Sequence, residues 1–244
     1  MSDSSQFHSV SGPSPNTGSS CFLIFAIGTA GDVYPNLAIG KALRLRGSRV
    51  VVAANSYFES AVRRAGVGFI SMGEVDEYLR VTADPELWQW GKGFRILLRE
   101  MIGQMKPVYD TIVRHAAAND TVVIAPASAL GARLANEKLN IPLVSLYLQP
   151  MALRTWEEQP GVTLPRYLKP LVRPLRTMLL TALDRWLLHP RLLPGLNAFR
   201  SELNLAPVEN VFDSWIHSPR MVLGLFPEWF AARQPDWPAQ FRQT

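Results

Sequence analysis

Residues 28–35 read GTAGDVYP and present one carboxylate, Asp32, in a glycine-bearing turn. The turn follows the apolar run CFLIFAI (21–27) and precedes NLAIGKALRLRG. Gly28 and Gly31 let the backbone approach a ligand closely. Two chemistries are open to Asp32. As a helix cap it satisfies free N–H groups: Asp is a preferred N-cap, and Pro35 suits a first turn. As a general base it accepts a proton from a bound hydroxyl. The two roles compete, because a helix N-terminus lowers the basicity of a carboxylate. A base at this position needs desolvation by a bound apolar substrate.

Other ligands for the turn fail on residue type. A dinucleotide fingerprint needs G-x-G-x-x-G and an acid near the end of the second strand. Here the middle glycine is missing and Asn55 stands where the acid belongs. No Gly-Lys-Ser/Thr follows, so a P-loop is excluded. No His or Cys pair has metal-ligand spacing, and no Ser or Cys pairs with His115, His189 or His217 as a hydrolase triad requires. The residues demand neither a metal nor another cofactor.

The elements that must position Asp32 alternate. Strand-like runs at 21–27, 49–54, 67–71, 121–126, 141–148 and 220–226 are separated by helix-like segments, two of them closed by Gly47 and Gly66. Such strand–helix–strand units predict an α/β fold: a Rossmann-like parallel sheet with helices on both faces. Ligands of these sheets bind beyond the carboxyl ends of the strands, where residues 28–35 fall. Residues 72–95 read as irregular and aromatic. A long helix is expected over 94–117, kinked at Pro107. The stretch 166–193 reads as helical but broken by prolines, followed by a short helix near 195–204.

Further candidates lie at the same edge. Trp88, Trp90 and Phe94 could wall an apolar ligand pocket or form the small core of a lid. Ser128 and Gln149 follow two strands and could bond a ligand hydroxyl. The stretch 166–191 carries six Lys/Arg against one Asp, a net charge of +5 that equals the net charge of the whole 244-residue chain. This local patch suits either a solvated helix face or peripheral contact with anionic lipid, and it argues against a general nucleic-acid coat. Residues 1–20 contain no Lys or Arg and read as a disordered tail, with one domain over 21–244. The single cysteine, Cys21, gives no disulfide, and no apolar run nears the roughly 20 residues of a membrane span. A cytoplasmic protein is expected, peripheral at most to the inner face of a membrane.

The stretch FAIGTAGDVYPNLAIGKALRLRG resembles the start of the GT-B nucleotide-sugar glycosyltransferases, most nearly the rhamnosyltransferases of rhamnolipid synthesis and then the sterol and macrolide glycosyltransferases. The resemblance continues through DPELW (84–88), LGARLANEKLNIP (130–142), HSPRMVLGLFPEWFA (217–231) and QPDWP (234–238). It implies the N-terminal, acceptor-binding half of a GT-B fold, with Asp32 as the base and Gly28, Thr29, Gly31, Trp88, Trp90, Phe94, Ser128 and Gln149 near the acceptor. It further implies an inverting hexosyl transfer from a nucleotide sugar to a hydroxylated, lipid-like acceptor. The Gly-His-x-Val often found in relatives is Gly47-Ser48-Arg49-Val50 here. The chain ends where the family's interdomain linker begins, so the donor domain is expected to be missing or to come as a separate polypeptide. A truncated, inactive acceptor- or lipid-binding domain is the alternative.

Overall fold

The computed structural model describes residues 20–89, 91–117, 120–156 and 169–244. The tail expected over 1–20, apart from Ser20, and the candidate Trp90 lie outside them. The chain begins with strand β1 (Cys21–Ala26), helix α1 (Ala30–Leu45), β2 (Arg49–Ala54), α2 (Glu59–Arg64) and β3 (Gly68–Ser71). It continues with α3 (Val75–Thr82), α4 (Lys92–Gly103), α5 (Met105–His115), β4 (Thr121–Pro126), α6 (Leu130–Leu139) and β5 (Leu143–Tyr147). It closes with α7 (Lys169–Leu183), α8 (His189–Glu202), β6 (Met221–Gly224) and β7 (Phe241–Gln243). The strands form one seven-stranded sheet in the order β3-β2-β1-β4-β5-β6-β7, with every neighbouring pair parallel.

The unbroken apolar run of β1 has a two-sided reason. Leu23 and Phe25 point into a core shared with α5, α6 and α8. Ile24 and Ala26 point into a second core with Val33 and Leu37 of α1 and Val62 of α2. A central parallel strand is buried on both faces, so it has no polar positions to alternate. The chain winds from β1 to β3 in one direction and from β4 to β7 in the other. The strand order therefore reverses between β1 and β4, which opens a crevice at their carboxyl ends.

Four sequence expectations are corrected. Residues 72–95 are not irregular throughout: they hold α3 and a 3-10 turn over Pro85–Trp88, capped where Asp84 Oδ1 accepts from the Glu86 N–H at 2.8 Å. Helix α3 is eight residues long and buries none of them; Val75, Tyr78 and Leu79 recur at helical spacing, but over too short a window to stand out in the sequence. The long helix over 94–117 is two, parted at Gln104. Pro107 falls in the first turn of α5, where its missing N–H removes no helix bond. The prolines of 166–193 do not break the helix. Helix α7 contains Pro174 and passes through a π-turn at Asp184–Leu188 into α8. Finally, β7 extends the sheet beside β6.

Candidate active site at the carboxyl ends of β1 and β4

The turn after β1 is built around the Asp32 carboxylate. Thr29, extended at φ −86° and ψ −179°, is the N-cap of α1, and Asp32 is its third residue. Asp32 is therefore not the N-cap that the sequence suggested. It still completes a capping box: the Thr29 N–H donates to Asp32 Oδ2 at 2.7 Å, and the Thr29 hydroxyl donates to the same oxygen at 3.1 Å. Both bonds fall on Oδ2. The carboxylate folds back across Gly28, which has φ +128°. A Cβ at Gly28 would lie 2.3 Å from Oδ2, so only glycine leaves room for this arrangement. Gly28, Thr29 and Gly31 are exposed and Asp32 is half-buried. One turn further on, Asn36 is buried and its Nδ2 donates to the Asp32 carbonyl at 2.8 Å.

Three tyrosines accompany this carboxylate, and the sequence reading singled out none of them. Tyr57 stacks on Tyr78 with ring centroids 4.6 Å apart, and Phe58 meets Tyr78 edge-on at 5.1 Å. Burial, and then the nearby Tyr57, Asp32 and Tyr34, push the Tyr78 phenol above its ordinary pKa. It stays a neutral hydroxyl within the field of the Asp32 charge. Asn55 has a local role: its Oδ1 accepts from the Tyr57 N–H at 2.9 Å and its Nδ2 donates to the Glu74 carbonyl at 3.0 Å. These bonds hold the loop that carries Tyr57.

The other predicted residues divide. Ser128, exposed just after β4, sits on the second wall of the crevice, and Gln149, exposed after β5, lies one strand further along. Phe94 is on the first turn of α4 and 39% exposed. Trp88 ends the 3-10 turn. Its side chain, like Trp90, lies outside what is described. Among the described residues no cluster of three or more His, Cys, Asp or Glu could hold a metal ion.

A second recess, of about 230 Å3, is lined by Arg154, Trp156, Asp213, His217, Asp236 and neighbours. Its charges are already paired. Arg154 bridges Asp184 and Asp213, and Asp236 accepts from the Thr155 hydroxyl and the Trp156 N–H. His217 is buried, with Nδ1 3.0 Å from the Tyr147 hydroxyl, and burial lowers its pKa to about 4. This recess ties the segments before β6 and β7 to the sheet, while the β1–β4 crevice carries an accessible carboxylate.

Over 134 residues the chain is 30% identical to the sterol 3-beta-glucosyltransferase of Pichia angusta, a stretch that is 53% of this chain and 10% of that protein. Over 50 residues it is 48% identical to a sterol 3-beta-glucosyltransferase of Arabidopsis thaliana, covering 20% of this chain and 8% of that one. The chain thus spans about a tenth of the length of the curated relatives it matches. In fold it is similar to the glycotransferase of kitacinnamycin, with a TM-score of 0.59 at 16% identity over 89% of this chain and 48% of that one. The calicheamicin glycosyltransferase gives 0.55 at 15% identity over 90% and 50%. In both structures the likeness covers one half, in keeping with the N-terminal half of a GT-B fold. The model of the glycosyltransferase family 28 N-terminal domain matches residues 22–154, more than half of the 244, and the chain belongs to this family.

Proposed function

We propose that this chain is the acceptor half of an inverting glycosyltransferase, which moves a hexose from a nucleoside diphosphate sugar to the hydroxyl of a lipid-like acceptor. The observation that carries the reading is the Asp32 carboxylate, folded over Gly28 at the crevice between β1 and β4. Thr29 fixes Oδ2, which leaves Oδ1 to face an incoming hydroxyl. As that hydroxyl oxygen attacks the anomeric carbon, its proton passes to Asp32. The bond from the anomeric carbon to the diphosphate breaks, and the nucleoside diphosphate leaves with the electron pair. Attack opposite the leaving group inverts the anomeric centre. The Tyr57–Tyr78 stack gives an apolar, hydroxyl-edged wall beside the base, which suits a ringed alcohol. The two curated relatives named above are sterol glucosyltransferases, and this supports a lipid-like acceptor. Donor recognition belongs to a second, Rossmann-like half, on the same polypeptide or on a partner.

With this half joined to a donor-binding half, Asp32→Asn should lower turnover by about 10²–10⁴-fold, the contribution of a general base. The amide keeps the size of the side chain and still accepts from Thr29, so folding is retained. Wild-type turnover in Asp32→Asn overturns the assignment.

A further inference from the structure

Helix α7 presents an apolar stripe to solvent. Leu175, Met178, Leu179, Leu183 and Trp186 are exposed, from 39% at Leu183 to 76% at Trp186. Their spacing of three, one, four and three residues places them along one helix face. Thr177, Thr181 and Ala182 between them are exposed as well. Soluble helices bury such a stripe, and a contiguous exposed apolar surface marks an interaction site.

The charges around the stripe select the occupant. The stretch 166–191 holds six Lys/Arg and one Asp. That acid, Asp184, is 5% exposed and turned inward, where both its oxygens accept from the Arg154 guanidinium. The π-turn makes this possible. It directs Asp184 and Leu188 into the protein while Trp186 stays outside. The stretch's one acid is thus paired inside, while Arg185, beside Trp186, and Arg191 stand exposed. A second copy of the chain laid on this face would bring two such cationic stretches together, whereas an anionic lipid surface neutralises them. With 15 residues, α7 is shorter than the roughly 20 needed to cross a bilayer. An apolar face with a Trp and an exposed Arg beside it, on a stretch of net positive charge, is the pattern of a helix that lies in the headgroup region.

We propose that α7 and the π-turn form a peripheral docking surface for anionic lipid bilayers, with Leu175, Met178, Leu179, Leu183 and Trp186 inserted among the headgroups and Arg185 against their phosphates. The inference does not depend on the role of Asp32.

The test is flotation of the full 244-residue chain with sterol-free vesicles of phosphatidylcholine, with and without about 30 mol% phosphatidylglycerol. The wild-type chain should float with the anionic vesicles and be released by high salt. The double variant Met178→Glu/Leu179→Glu should lose about tenfold or more in partitioning, and Arg185→Glu should weaken it while leaving the apolar face intact. Circular dichroism and the melting temperature show that the variants fold, as exposed positions permit. Bromolipid quenching of tryptophan fluorescence should drop in Trp186→Phe. No flotation of the wild-type chain, or equal flotation of the double variant, overturns the proposal. So does a wild-type dimer in light scattering that the double variant makes monomeric without any vesicle binding, which would assign the face to a second copy.

Discussion

At the scale of single residues, the turn after β1 combines two demands on one side chain. Asp32 completes the capping box of α1 and is also the carboxylate at the crevice. Gly28 is the partner that makes both possible, and their coupling is measurable. Gly28→Ala places a Cβ on the carboxylate and forces φ +128° on an L-residue. It should destabilise the fold by about 1–3 kcal/mol. In an Asp32→Ala background the carboxylate clash is gone, leaving the backbone strain and a tight 3.0 Å contact with the Cβ of residue 32, so the second substitution should be milder by about 0.5–3 kcal/mol. Urea unfolding of the four proteins measures this, and strict additivity would show that the carboxylate does not rest on Gly28. The position of Asp32 was legible because a glycine turn between an apolar run and a helix pattern is a local signal. Its neighbours Tyr57 and Tyr78 were not. They lie on either side of α2 and β3, and only the packing of those elements brings their rings together.

At the scale of elements, the central strands were read almost to the residue, because burial on both faces writes continuous apolar runs. β7 escaped because three residues, one of them Arg242, carry no such run. The prolines of 166–193 misled for a physical reason. Proline removes a single helix bond, and α7, the π-turn and α8 keep the rest, with Arg154 holding Asp184. The tie between β5 and the segment before β6 yields a pH prediction. His217 is buried beside Tyr147, and desolvation lowers its pKa from 6.5 to about 4. The unfolded chain takes up this proton near 6.5 and the folded chain only near 4. Stability is therefore complete above about 6.5 and drains as the pH falls towards 4, by on the order of 3 kcal/mol. Glu137 acts in the same direction: the Arg200 hydrogen bonds lower its pKa, and the stability it adds is lost on acidification. His217→Gln should remove the His217 share. Its unfolding free energy should fall less between pH 7 and pH 4.5 than that of the wild type, and an equal fall in both proteins would count against a neutral, buried His217.

At the scale of the whole molecule, the aromatic residues near the C-terminal end divide between inside and outside. Phe226 and Trp237 pack on Phe241 within the core, whereas Trp229 is 85% exposed at the carboxyl edge and Phe230 stands beside it. That edge carries the crevice, and its electrostatics decide which substrate this half can take alone. In dinucleotide-binding sheets the N-terminus of the helix after the first strand receives the pyrophosphate, through free N–H groups and the helix dipole. Here the Thr29 N–H is given to Asp32, and the carboxylate already supplies the negative charge that this helix end favours. A diphosphate at the same place would set two anions side by side and displace an internal bond. An uncharged alcohol meets no such repulsion. This chain should therefore show no micromolar affinity for uridine or thymidine diphosphate sugars, and isothermal titration calorimetry tests it directly. Micromolar binding at low salt would mean that this half holds a phosphate site of its own, and donor recognition could no longer be assigned to a second half.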